Sequence, residues 1–313
     1  MESELASAQR AFTVVLNLSL AVLVGASAAM FWLRTRASSW ARTMLPRLRV
    51  ALLAGAGAAM AASVGILWTE AASMAEVPLP DALPAVRSVI GATHYGLAWM
   101  IGAAALLVAG AVSAAPLPLQ TGATASAIRI LAIAVLLYSR SMVSHAGAAG
   151  DFTWAIVVDW MHLFLVSLWV GEVLVAAVIT LGRAPGSAPG NRTDCAAYIA
   201  ALSRSAMLAL AGIFVTGALG AWRVLERPED LVSNPYGLTL VIKLVLVLCA
   251  AALGGINRFV LMPSLLHSLT RPGQGARNAG GRFARVLQIE ALVLAAAMLA
   301  AAFLTSTPPP MAS

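Results

Sequence analysis

An all-α polytopic membrane protein, a bundle of eight transmembrane helices with both termini outside, is the fold class this sequence predicts. Three observations predict it. The 313 residues are 60% hydrophobic and 11% charged, with a mean hydropathy of +0.87, more apolar surface than a water-soluble domain of this length can bury. The apolar residues fall in runs of about 20, the length that crosses a hydrocarbon core. The arginines gather in every second loop, as the positive-inside rule requires.

Eight segments qualify in order: 11–33, 50–70, 90–112, 126–145, 155–181, 199–223, 236–257 and 284–305. The first is headed by Glu2 and Glu4 against one Arg10 and runs on past Ala26-Ser27-Ala28 to Leu33, so it reads as a retained helix rather than a cleaved signal. Frequent Ala and Gly suit close helix packing, and none of the runs alternates as a barrel strand does. The connections 34–49, 71–89, 182–198 and 258–283 are the longest, too short for a catalytic domain. Pro78, Pro80 and Pro84 stiffen the second of them, and Pro308 to Pro310 end the chain. The whole of 1–313 therefore reads as a single integral membrane domain and not an enzyme.

Charge orients the bundle. Arg34, Arg36, Arg42, Arg47 and Arg49 follow the first segment, Arg183, Arg192 and Arg204 the fifth, and Arg258, Arg271, Arg277, Arg282 and Arg285 the seventh. The alternate loops hold Glu70, Glu76 and Asp81, then Asp151, then Glu226, Glu229 and Asp230. The arginine-rich loops are thus assigned to the cytoplasm. The formal net charge of +7 reports topology, not a nucleic-acid partner. No GxxxxGK[ST] loop is present, so no nucleotide drives the protein. Cys195 is expected in a cytoplasmic loop and Cys249 in the seventh segment; without a CxxC no thiolate relay is expected.

On this topology three of the four histidines reach a similar depth near the outer face. His94 lies about one turn into the third segment, His145 closes the fourth, and His162 is about two turns into the fifth; His267 falls in a cytoplasmic loop. Met142 and His145 are three residues apart, as are Asp159 and His162, spacings that share a helix face. Imidazole with thioether suits Cu(I), and imidazole with carboxylate suits Cu(II) or zinc. A set of neutral ligands releases its ion on protonation, so binding should weaken below about pH 6. The alternative for each histidine is a structural hydrogen bond at the interface. Trp154 and Trp160 read as interface anchors. Trp169, seven residues after His162, is placed on the same face.

A second polar set lies deeper. Glu172 is ten residues beyond His162, about 15 Å at helical rise. Lys243 sits in the seventh segment and Glu290 in the eighth. Bare charges at such depth are costly and mark ion or proton paths. Glu172 or Glu290 with Lys243 would form a relay; a structural ion pair is the alternative.

Several segments, taken in order, resemble the copper resistance D (CopD) family of bacterial inner-membrane proteins. They are Ser144-His145-Ala146, Asp159-Trp160-Met161-His162, Ser167-Leu168-Trp169-Val170-Gly171, Thr216-Gly217, Asn234-Pro235-Tyr236-Gly237 leading to Lys243, Asn257-Arg258-Phe259 with Pro263, and Glu290. They define a CopD-like core over 125–308; earlier, Thr93-His94-Tyr95-Gly96 agrees as well. The resemblance implies copper homeostasis or resistance in the bacterial inner membrane, with both termini periplasmic. Copper would be bound at the periplasmic face by His145 and His162, with His94 a weaker third and Met142 or Asp159 assisting. It would move past Trp169, Glu172, Lys243, Asn257 and Glu290. It also implies a separate periplasmic copper carrier of the CopC type as partner. Two other classes compete: a membrane b-type cytochrome with two of these histidines on haem, and a docking platform that transports nothing.

Overall fold

A computed structural model describes residues 2–182, 188–224, 235–270 and 274–305. Among them the chain is helical almost throughout, and eight helices are long and apolar enough to cross a membrane. They are α1 (Glu2–Leu33), α2 (Ser39–Met74), α3 (His94–Ala114), α4 (Ala123–Met142), α5 (Trp154–Val175), α6 (Pro189–Val224), α7 (Pro235–Ile256) and α8 (Gln274–Thr305). A helix satisfies its own backbone polar groups, which hydrocarbon demands, so each apolar run folds as one.

α1 is the hub. It packs along α2 and α5 and touches α4, α6 and α8. Its crossing with α5 is backbone on backbone at Gly25 and Gly171, where a Cβ on Gly171 would collide with the Ala21 carbonyl oxygen. Small residues permit such an approach, which replaces hydrophobic driving force with dispersion contact in lipid. α3 and α4 form a pair against α2, while α7 and α8 form a pair whose α7 is largely exposed toward lipid.

Several helices outrun their apolar stretches. α2 starts eleven residues before the expected 50, capped by Ser38, whose hydroxyl accepts from the Ala41 N–H. α6 begins at Pro189, so Cys195 is buried inside a helix and not in a loop as expected. Hydropathy locates the part of a helix in hydrocarbon; the helix itself continues into the interface wherever its backbone is capped. Conversely, the expected span 90–112 is broken. Leu83–Ala92 is a separate helix, and Thr93 turns extended (φ −121°, ψ 153°) to cap α3 with its side chain on the Gly96 N–H.

Two spans end in a π turn. Ala176–Thr180 continues α5, and Asn257–Leu261 continues α7 before Met262–Thr270 resumes the α form. Both π turns pack against α8.

Side-chain contacts identify the two ends of the bundle. At one, Arg36 pairs with Asp194 at 3.7 Å, Asn191 accepts from Ser39 and the Trp40 N–H, and Arg49 donates to the Ala114 carbonyl. This is the arginine-rich end. At the other lie the starts of α3 and α5 and the end of α4, the histidine-bearing end. Arg183, Glu226, Glu229, Asp230, Asn234, Arg271 and Pro308 to Pro310 fall outside the described residues.

Candidate functional site

The segment joining α4 to α5 builds the histidine-bearing end. α4 stops at Met142, and Ser144 caps a tight 3-10 turn, His145–Ala149, through the Ala146 N–H. Gly150 then takes φ +113°, a left-handed value that favours glycine. His145 therefore does not close α4. It opens the turn beyond it and is exposed, whereas Met142 is buried on the helix. Their three-residue spacing crosses a helix end, so the expected shared helical face is not formed.

His94 is the first residue of α3, not one turn inside it. Its Nε2 lies 2.8 and 2.9 Å from the two Asp151 carboxylate oxygens, with the pair half-exposed. Tyr138 donates to the Asp151 carbonyl at 2.5 Å, tying the same loop to α4.

His162 is seated by α6. Its Nδ1 is 2.9 Å from Thr216 Oγ1, and the ring edge faces Gly217. The Thr216 hydroxyl donates back to the Gly212 carbonyl at 2.7 Å. Its single proton is therefore spent, so Oγ1 accepts and Nδ1–H of His162 donates. In the neutral ring this leaves the lone pair on Nε2, which makes no hydrogen bond among the described residues. An imidazole whose second nitrogen is tied in this way is oriented for ligation.

Asp159 lies one turn before His162. The Ser144 hydroxyl is 3.0 Å from its Oδ2, joining the His145 turn to α5. Lys243 acts electrostatically on both Asp159 and His162, and Arg140 acts on Asp159. Asp159 is thus within electrostatic reach of both Lys243 and Arg140. Lys243 belongs to this level, not to a relay with Glu172 or Glu290. A cavity of about 30 Å³ opens nearby between Tyr95, Trp99, Ser139 and Arg140, room for about one water.

The deeper set is separate. Glu172 is 1% exposed, and Ser205 of α6 donates to its Oε1 at 2.6 Å while Oε2 has no partner among the described residues. Glu290 is 3% exposed; Asn257 donates to its Oε2 at 3.3 Å, and the Trp169 side chain also hydrogen-bonds to it. Trp169 therefore belongs with Glu290 and does not line the His162 site.

Through Ser144 the structure ties the His145 turn to Asp159, one turn before His162 on α5. It does not gather three metal-binding side chains into one ligand set: among the described residues no three His, Cys, Asp or Glu converge on a single point. Sequence reasoning missed Ser205, Arg140 and Arg129. Arg129 is buried in α4 with Nε donating to Ser27 at 3.2 Å and Nη1 unpartnered. An arginine inside an apolar run was the available signal for both. A serine on another helix carries none.

Two family models match the chain. The model described as copper resistance protein D-like, N-terminal domain, matches residues 5–154, and the model described as copper resistance protein D matches 196–304. The stretch with Asp159, His162, Trp169 and Glu172 lies between them. Among curated proteins, the copper transport protein CutJ of Bacillus subtilis (strain 168) is 27% identical over 175 residues. The alignment covers 56% of this chain and 29% of that protein, less than a third of its length. No solved structure matches. With both parts of the family pattern in order along a bundle of eight spanning helices, the chain belongs to the copper resistance protein D family.

Proposed function

We propose that this protein binds copper at its histidine-bearing end and moves it across the bacterial inner membrane, acting as a transporter and not as an enzyme. The family assignment and the relative named as a copper transport protein support copper as cargo. The observation that carries the site is the seating of His162: Thr216 Oγ1 accepts the hydrogen bond of Nδ1–H and leaves the Nε2 lone pair to ligate. His145, on the turn that Ser144 anchors to Asp159, is the ligand from the loop side. Met142 lies behind it as a soft donor, and His94 is a weaker third because Asp151 already holds its Nε2.

The histidine-bearing end faces the periplasm in this reading, with the arginine-rich end in the cytoplasm. A soluble copper carrier of the CopC type delivers or receives the ion at the exposed 143–153 loop. Neutral ligands and an Asp159 within electrostatic reach of Lys243 and Arg140 hold copper loosely enough to pass it on. Below this level the path runs past Trp169, Glu172, Asn257 and Glu290.

Copper flux into and out of oriented membrane vesicles tests the proposal, with wild type against His162→Ala. Copper-dependent flux that His162→Ala abolishes supports it. Equal flux in both, or none in the wild type, overturns it. A Soret band in the purified protein would instead establish a cytochrome.

A further inference from the structure

Two buried carboxylates in the lower half of the bundle have only neutral partners. Glu172 is held by the Ser205 hydroxyl, and Glu290 by the Asn257 amide and the Trp169 side chain. Among the described residues neither pairs with a lysine, arginine or histidine. Among the described residues two acceptors at this level are buried without a partner, Glu172 Oε2 and Asn257 Oδ1. A carboxylate oxygen stripped of water and unpaired is the costliest state such a group can adopt. Binding a proton removes that cost.

The donor chemistry here differs from that of the histidine-bearing level. Every ligand atom here is oxygen, which suits hard ions, whereas the level above offers imidazole and thioether. The surroundings are also those of a moving part. Glu172 lies just before the Ala176–Thr180 π turn, Asn257 begins the Asn257–Leu261 π turn, and both turns rest on α8, which carries Glu290. π turns inside helices recur at functional sites.

Few other charges face the pair. From α6, Tyr198 acts on Glu172 while its hydroxyl meets Thr180, and Cys195 lies beside Tyr198. From α1, Ala21 and Gly25 present backbone only. From α7, Arg258 turns to Ser203 and the Phe259 ring, and Gly254 lies against Glu290. Arg204 on α6 is exposed. None of these neutralises either carboxylate.

We propose that Glu172 and Glu290 are the proton-binding pair of this protein and that copper movement is coupled to them. Each carboxylate forms an O–H bond with a proton taken from water at one face and gives that proton to water at the other. The coupling rests on the transport reading above; the protonation of the pair does not.

The experiment therefore has two arms on the full chain. In the first, infrared spectra of the purified protein in lipid nanodiscs are titrated with pH. A carboxylic-acid C=O band at neutral pH is expected, reduced in both Glu172→Gln and Glu290→Gln and unchanged when sodium is replaced by choline. Absence of that band in the wild type, or its loss on adding sodium, overturns the proposal. In the second arm, copper flux into proteoliposomes is measured with and without a pH gradient. The gradient should accelerate wild-type flux at least about fivefold. Both glutamine variants should lose that acceleration and keep wild-type copper affinity. Acceleration that persists in both variants overturns the coupling. A wild type that moves no copper defeats the transport reading, while the infrared arm still decides protonation.

Discussion

The histidine-bearing level and the Glu172–Glu290 level are built from similar residue types and answer their charges in opposite ways. Above, Asp159 is within electrostatic reach of Lys243 and Arg140, His94 is paired with Asp151, and His145 is exposed. Below, both glutamates are buried and meet only hydroxyl, amide and indole groups. A partner of opposite charge and contact with water both lower the cost of a charge, whereas a buried, unpaired charge is costly. The contrast teaches that depth in a membrane bundle does not set the role of an ionisable group; its partners do.

Removing the ring at the upper level is the strongest way to break the comparison. His162→Ala should weaken copper binding about a hundredfold, read by competition with a copper chelator, while Glu172→Gln leaves affinity unchanged. Equal losses in the two variants would merge the levels into one site. The next effect is on the frame that holds them apart. Gly171→Ala forces a Cβ against the Ala21 carbonyl and should cost about 2 kcal/mol, seen as a lower melting temperature in detergent. An unchanged melting temperature would show that the α1–α5 crossing is loose.

Smaller still is Thr216→Val, which leaves the His162 ring in place and removes the acceptor that orients it. Copper affinity should fall about tenfold, and Thr216→Ser should restore it. A Val variant of wild-type affinity would mean that the tautomer is held by something else. The smallest effect is Asp151→Asn. Its pair with His94 is half-exposed, worth about 0–1 kcal/mol, so stability should barely move. A loss of copper binding as large as that of His162→Ala would promote His94 to a principal ligand.

Much of the fold was legible in the sequence because hydropathy measures the same free energy that places a helix in lipid. The expected number of spans, eight, is found among the described residues. The misreadings sit at helix ends. Thr93 breaks the third span and Ser144 starts a new turn after Met142, both through side-chain caps that a hydropathy window averages away. The site was legible as residues and not as partnerships. Lys243 looked like a counterion for Glu172 or Glu290 and stands instead with Asp159 and His162. Trp169 looked like a neighbour of His162 and belongs to Glu290.

Composition and the spacing of arginines were enough by themselves to establish a membrane bundle and the number of its helices. Backbone hydrogen bonds in hydrocarbon close within each helix, so that information is local. Which side chains meet is not local. It depends on the backbone contact of Gly25 with Gly171, on two π turns that shift the register of the residues beyond them, and on one threonine whose proton is spent within its own helix. Only the tertiary structure decided that His162 presents Nε2, and that Glu172 and Glu290 have no cation to share among the described residues.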